Sequence, residues 1–402
     1  MSAEKPQYIN FDEYIRQGDP AKRELAEAWR VAIGLQAVDG LKTSEFLQET
    51  ARRNIEGEIS IDEVKHLVNQ YYITKTTHDE GDADMEEADR VSSNIMKVLS
   101  QPTFAFNTNG FISVHRRIFD GVMKHAGELR KYDITKKEWV LEGDTVSYLN
   151  WEDLRRALDY DIEQEREKGY SGLSTDDMIA RITRFVSGIW QIHPFPEGNT
   201  RTTAVFTIQY LRSLGFNVAN DLFAQHSWYF RNALVRANYR NVVKGVEYTP
   251  LYLERFFRNL LLGEQWDLRN RYLHIHPPKE WSVQPNLGVE LVSDGQPTST
   301  PTSTPTSTPT STPASLFYTD NKNIIRLVKA MGDKQYSVKE MMDMVGLRDR
   351  ANFLEYSLNP AIAQGFVSMR YPDKPRHPRQ SYLLTAKGTM LWKSLWKEDA
   401  KE

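Results

Sequence analysis

Apolar residues recur at helical spacing along most of the chain, and the clearest run is Asp176 to Ile192. There Ile179, Ile182, Phe185, Val186, Ile189 and Trp190 fall on one face, with Ser174 and Asp177 in the relation of a capping box, which predicts a buried helix. The spacing of Val205, Phe206, Ile208, Leu211 and Leu214 predicts a second helix from Thr202, ending at Gly215. Between the two runs, Pro194 and Pro196 lack amide hydrogens and bias the residues before them toward extended backbone, so a short loop joins the helices. Upstream, Ala21 to Gln36, Ser44 to Ile55 and Ile61 to Tyr72 read as helices, the last behind Ser60 and Glu63, a second capping-box pair. Val114 to His125, Trp151 to Lys168 and Tyr229 to Asn241 are further helical segments. Lys131 to Leu149 differs: it alternates in part, is rich in strand formers and turns at Glu142-Gly143-Asp144, which predicts a β-hairpin.

Periodicity fades from Trp266 to Glu290, and Pro297 to Ser315 repeats Thr-Ser-Thr-Pro. A segment with almost no apolar residue cannot offset the entropy of ordering, so 276–315 reads as a disordered linker. The pattern then restarts: a helix over Asn323 to Ala330, a second from Val338 to Met344 capped by Ser337, a turn at Gly346, and a third from Asp349 to Gln364 ending at Gly365. Two strands, 366–371 and 381–385, flank a basic loop. This order resembles a winged-helix domain, with the helix pair as a helix-turn-helix. The fold class is therefore mainly α, a helical core with a β-hairpin flap followed by a small α+β domain. The divisions are an N-terminal helical region over 1–90, a core over 91–275, the linker, and the small domain over 316–402.

Composition refines this picture in three places. The 402 residues include no cysteine, so disulfides and thiolate metal sites are excluded, in keeping with a reducing cytoplasm. The N-terminus is polar and no stretch has the length of a membrane span, so a cytoplasmic protein without a membrane partner is expected. The formal net charge of -3 gives no general attraction to nucleic acid. Residues 316–402 nonetheless carry 15 Lys and Arg against 10 Asp and Glu, with Lys374, Arg376 and Arg379 in the basic loop, which leaves DNA phosphates as a candidate partner of that domain. Pro360 lies inside its third helix and counts against a regular recognition helix.

Chemistry concentrates in Ile192 to Thr203. The sequence Glu197-Gly198-Asn199-Thr200-Arg201 enters a helix N-terminus, where free amides and the helix dipole favour an anion; Gly198 permits close approach and Arg201 adds a forked donor suited to phosphate. Glu197 is placed to hold Mg2+, an ion that takes one or two carboxylates and completes its shell with water and substrate oxygens. His193 is the one side chain of the loop able to accept a proton near neutral pH, its ordinary pKa being about 6.5.

At these residues the chain resembles the Fic family, whose motif HxFx(D/E)GNGRxxR is met at His193, Phe195, Glu197, Gly198, Asn199 and Arg201. The resemblance implies an all-helical core and a protein adenylyltransferase that moves AMP from ATP to a Ser, Thr or Tyr hydroxyl of a protein, itself included. By that likeness His193 is the general base, Glu197 binds Mg2+, Gly198, Asn199, Thr200 and Arg201 cradle phosphates, and Phe195 anchors the loop. Two positions depart from the motif: Thr200 replaces its second glycine and Ala204 its final arginine, the usual γ-phosphate contact. Asn54 to Ser60 is similar to the family's inhibitory element, with Glu56 and Gly57 in its last two places, although Arg52 stands where Ser or Thr belongs. Glu56 is then expected still to reach the site and to pair with Arg201 or another cation. The hairpin corresponds to the family's target-docking flap, with Val146 and Tyr148 as its clamp, and Asn238 and Arg231 to residues near the nucleotide. The alternatives are a DNA-binding or scaffold protein with a degenerate site, or a transferase using another phosphate donor. A homodimer is left open.

Overall fold

The computed structural model describes residues 11–399 apart from 17–18, 76–80, 102, 171–172, 217, 219–220, 277–318, 333, 372–376 and 378. The linker and the basic-loop residues Lys374 and Arg376 lie outside the described residues. Helices dominate, and the only strands among the described residues are a short antiparallel pair near the C-terminus.

The N-terminal helices do not form a unit of their own. Pro20–Gly34, Glu45–Ile55 and Ile61–Thr74 share one hydrophobic core with the central helices, running without a break from Phe11 to Leu273. Their caps are those the sequence indicates: Ser44 accepts from the Leu47 amide, and Ser60 and Glu63 form the reciprocal box. The element that unites them with the rest is Asp82–Leu99, whose apolar stripe the sequence reading did not isolate. This helix packs against Pro20–Gly34, Ile61–Thr74 and Thr108–Ile118. Its buried Asp89 accepts from the Ser44 amide (2.8 Å), the Ser44 hydroxyl (2.5 Å) and the Tyr72 hydroxyl (2.7 Å), so one carboxylate ties three helices. Three donors to a fully buried acceptor satisfy it where an unpaired carboxylate would be costly.

Two central helices, Thr175–Ile192 and Asn199–Ser213, bracket the motif loop. Both follow the sequence reading closely, including the Ser174–Asp177 box and the stop at Gly215, which has φ 89°. Leu154–Glu167, Ser227–Asn238 and Leu251–Leu262 complete the bundle. The helix expected over Val114 to His125 instead runs from Thr108 to Ile118. Asn107 caps it by accepting from the Gly110 amide (2.8 Å), and the chain beyond Phe119 becomes a series of turns through Gly121 and Gly127, both at positive φ. A strong cap upstream and two left-handed glycines downstream outweigh the apolar spacing.

The flap reverses where expected, with Glu142 and Gly143 at φ 57° and 87°, but builds no strand ladder. Two backbone bonds tie Glu138 to the far side of the turn: the Glu138 amide donates to the Asp144 carbonyl (2.9 Å) and the Gly143 amide to the Glu138 carbonyl (3.0 Å). Trp139–Leu141 winds into a 3-10 turn that sends Val140 and Leu141 into the core, and the Ile275 amide takes the Val140 carbonyl (3.0 Å). Burial of two consecutive residues on one side is incompatible with strand alternation, so the ladder is lost.

The C-terminal unit has its own core around Ile324, Leu327, Met341, Phe353 and Phe366. Lys322–Met331 and Val338–Val345 precede a third helix broken into Arg350–Phe353, a π-helical Leu354–Leu358 and Asn359–Ala363. Pro360 explains the break: it offers no amide to the Tyr356 carbonyl four residues back, and widening the turn avoids the ring clash. The strands Val367–Met369 and Tyr382–Leu384 pair antiparallel, Val367 opposite Leu384, and Tyr336 bridges to Tyr382. A closing helix, Ala386–Asp399, was not read from the sequence.

Phe206 is fully buried, its ring meeting Phe104 (5.2 Å), Phe106 (5.8 Å) and Phe111 (5.0 Å). Phe206→Ala should lower the free energy of unfolding by about 3–5 kcal/mol, read from urea titration; a loss below about 1 kcal/mol would mean that this aromatic cluster does not hold the bundle.

Candidate active site

The Thr175–Ile192 helix ends at His193, which takes φ 50° and ψ 57°. Left-handed backbone at a residue with a Cβ persists only where surrounding bonds impose it. Here they come from Arg130, a residue 2% exposed. Its Nε donates to the His193 carbonyl (2.9 Å), Nη1 to the Tyr132 carbonyl (2.6 Å), and Nη2 to the carbonyls of Leu149 and Ile192. The Arg130 amide donates to the Pro194 carbonyl (2.9 Å). One buried cation thus binds the helix end, the loop and the flap together.

A second anchor lies below the loop. Phe195 stacks on His115 at 3.7 Å between centroids and on Phe111 at 5.8 Å, which is the packing role expected of it. His115 accepts from the Gly127 amide at Nδ1 (2.8 Å), which places the ring hydrogen on Nε2, where it is donated to the Glu197 carbonyl (3.1 Å). Burial lowers the His115 pKa to about 3, so this bond is made by a neutral ring at physiological pH. Asn199 closes the loop on itself: its side chain accepts from the Phe195 amide (3.0 Å) and donates to the Phe195 carbonyl (2.7 Å). Gly198 has φ 71°, and a Cβ there would lie 2.2 Å from the Phe119 ring, so both conformation and space require glycine.

The His193 ring is 3% exposed, covered by Tyr148 (4.3 Å between centroids) and Trp190 (5.3 Å). Neither ring nitrogen has a hydrogen-bond partner. Burial, and after it the positive charge of Lys136, hold its pKa well below the ordinary histidine range; Arg130 and Arg231 act in the same direction. Next to it, the helix beginning at Asn199 has Gly198 as its N-cap and no side-chain cap bond. The Glu197 carboxylate is exposed, makes no hydrogen bond or ion pair among the described residues, and borders a depression of about 370 Å³ together with His125, Lys131, Tyr132 and Pro196. A free carboxylate beside an uncapped helix start suits Mg2+, which needs only one or two protein carboxylates when phosphate oxygens fill its shell. Among the described residues no cluster of three or more His, Asp or Glu offers a metal cage independent of substrate.

Residues 105–211 match the family model of the Fic/DOC family, and residues 322–385 match that of the Fic-like C-terminal domain of filamentation induced by cAMP proteins. The chain carries a Fic/DOC domain. Over 182 residues it is 23% identical to protein adenylyltransferase VbhT of Bartonella schoenbuchensis, an alignment covering 44% of this chain and 35% of that protein, so it spans about a third of that relative's length. A crystal structure of a Fic family protein from Desulfovibrio desulfuricans G20 aligns with TM-score 0.40 and 15% identity over 90% of this chain and 87% of that one.

The Fic domain departs from the sequence expectations at several residues. Arg201 does not face an open cradle: Nε lies 2.8 Å from Asp39, Nη2 donates to Glu87 (2.8 Å) and Nη1 to Gln36 (3.0 Å), with the guanidinium 4.8 Å over the Phe119 ring. The N-terminal helices belong to the same core as the Fic domain, and their acidic residues meet the arginine there. Glu56 does not reach it. That carboxylate is held by Lys22 and the Tyr14 hydroxyl, whose pKa burial and Glu56 raise to about 12, while Gly57, at φ 80°, ends the helix. Thr200 is buried, its hydroxyl accepting from the Trp190 indole (2.9 Å). Asn199, as described, is engaged within the loop.

On the flap, Tyr148 reaches the histidine as expected of a site residue, and its hydroxyl donates to Glu138 (3.2 Å). Val146 is 2% exposed and packs into the core, so its side chain is not presented to a target. Arg231 does join the cluster, ion-paired to the buried Glu138 at 2.8 Å. Asn238 instead donates to the carbonyls of Ser187 (3.1 Å) and Leu234 (2.9 Å), binding helix to helix. The residues missed by sequence reasoning are Arg130, His115, Lys136 and Glu138. Arg130, Lys136 and Glu138 sit in a segment whose polar residues carry no periodic signal that marks one of them as buried, whereas His115 shares the apolar face of its helix with Phe111 and Ile118, a signal spacing could have shown. In the C-terminal unit Arg379 is exposed, and Arg350, Asn352, Glu355 and Tyr356 face solvent along the broken helix.

Gly198→Ala should cost on the order of 2 kcal/mol or more, from the left-handed backbone and the ring contact. Combined with Phe119→Ala, itself worth about 3 kcal/mol, it should cost less than the two losses added together in thermal or urea unfolding. Strict additivity would show that the glycine and the ring do not meet.

Proposed function

We propose that this Fic domain is a protein adenylyltransferase, moving AMP from ATP to a Ser, Thr or Tyr hydroxyl of a protein and releasing pyrophosphate. The supporting observation is a neutral imidazole with both nitrogens unpartnered, beside an uncapped helix start and among Lys136, Arg130 and Arg231. The match to the Fic/DOC family and the distant likeness to an adenylyltransferase support the same reading.

In the step proposed, a ring nitrogen of His193 takes the proton of the target hydroxyl as its oxygen bonds to the α-phosphorus, and the bond from that phosphorus to the bridging oxygen breaks. The electron pair leaves with pyrophosphate. Surrounding cations make His193 a weak base in the resting protein; a bound triphosphate offsets their charge and raises its basicity as the chemistry begins. Glu197 would hold Mg2+ when bound, and the ion supplies charge neutralisation for the phosphates. The uncapped amides of Asn199 and its neighbours and the close-approach Gly198 receive phosphate oxygens. Tyr148 covers one face of the ring and moves aside to admit the target. Restraint of the resting site falls to Asp39 and Glu87, which compete with phosphate for Arg201, and not to Glu56.

Incubation with α-labelled ATP and Mg2+ should label the protein or a target, while γ-labelled ATP should not. His193→Ala should reduce the α-label at least about 100-fold, the lower end of what general-base removal costs. Label from the γ-phosphate would replace the reading with phosphoryl transfer, and no transfer under any condition would end it. Because the His193 pKa is held down in the nucleotide-free protein, the base stays unprotonated there as pH falls, and kcat/KM for ATP, which reports the free protein, should show no decline centred near pH 6.5.

Glu87→Gln with Asp39→Asn should raise labelling several-fold, and Glu56→Gly should leave it unchanged. The converse pattern would return the inhibitory role to Glu56.

A further inference from the structure

We infer that Lys136, on the flap, supplies the cationic contact to the terminal phosphates of the nucleotide that the Fic motif's own last position cannot make. The inference rests on the nucleotide reading above and assigns a residue within it.

Ala204 occupies that last position and is fully buried in a helix whose residues 199–211 are all buried, so no side chain there can deliver a charge. The three arginines of the site are already engaged. Arg201 faces Asp39, Glu87 and Gln36. Arg130 gives its donors to four carbonyls. Arg231 is paired with Glu138. Lys136 alone among these four has an ammonium with no hydrogen bond or ion pair among the described residues, although it is half-buried.

Its place is fixed by the flap. The Lys136 amide donates to the Thr145 hydroxyl (3.2 Å) across the reversal, two residues before the Glu138–Asp144 bond that closes it. Burial acts most strongly on the ammonium, and the charges felt there are those of Asp39, Arg231, Glu138 and Glu197. It is also the foremost cation acting on His193, whose two nitrogens lack partners. An ammonium has three donors and no acceptor, so a desolvated one without a partner awaits an anion. Mobility of the long aliphatic stem suits a point contact to a phosphate that departs as pyrophosphate.

The test uses the full-length chain with Mg2+ and measures dissociation constants for ATP, ADP and AMP by calorimetry, on wild type, Lys136→Met and Lys136→Arg. Lys136→Met should weaken ATP about tenfold or more and change AMP less than twofold, with Lys136→Arg recovering part of the loss. Thermal melting without nucleotide should show Lys136→Met at least as stable as wild type, since an unpaired desolvated charge is removed. Equal weakening of ATP and AMP, or none of either, would overturn the assignment. Failure of wild type to bind any of the three would overturn the nucleotide reading on which it stands, a distinct result.

Discussion

A buried guanidinium holds the motif loop in a conformation the chain would not choose alone. Arg130 donates to carbonyls on both sides of the Ile192–His193 junction and to the flap, and its own amide secures Pro194. Left-handed backbone at a residue with a side chain costs roughly 1–2 kcal/mol, and charge-assisted bonds of about 1.5–3 kcal/mol apiece offset it. The backbone at His193 and the link from the loop to the flap rest on this side chain, while His115 and Asn199 secure the start of the next helix.

Around that frame most charges meet an opposite one, with two exceptions. Arg231 meets Glu138, Arg201 meets Asp39 and Glu87, and Lys22 meets Glu56. These partners come from helices outside the family match at 105–211, from the flap inside it, and from the N-terminal region whose core is continuous with it. Under the proposed function, Asp39 and Glu87 hold the arginine to which phosphate would bind, so a nucleotide would compete with them. Lys136 and Glu197, one of each sign, are left without partners, and together they describe what a metal-bound polyphosphate carries.

The replacement of two motif residues reads differently in three dimensions than along the chain. Thr200 in place of glycine is accommodated because its hydroxyl accepts from the Trp190 indole, so the position contributes to helix packing as well as to the loop. Ala204 in place of arginine is not a gap; it lies in the core between helices, and nothing charged could be tolerated there without a partner. With that arginine absent, an inhibitory carboxylate at Glu56 has nothing to bind, and it is found at the surface with Lys22.

The sequence by itself determined the helices that carry a strong apolar stripe and a cap, among them Thr175–Ile192 with its Ser174 box and the C-terminal Val338–Val345 with Ser337. It also determined the motif loop and the glycine its backbone requires, since capping, periodicity and positive φ are local properties. Tertiary structure decided what long-range packing controls. The flap keeps its turn but loses its ladder because Val140 and Leu141 are drawn into the core together. The helix after Asn107 starts early because its cap lies outside the apolar window. Partners of Arg201 and Arg130 stand up to 165 residues away in sequence, and no spacing rule reaches that far. Ionic pairing depends on which surfaces meet, and that is settled only when the helices pack.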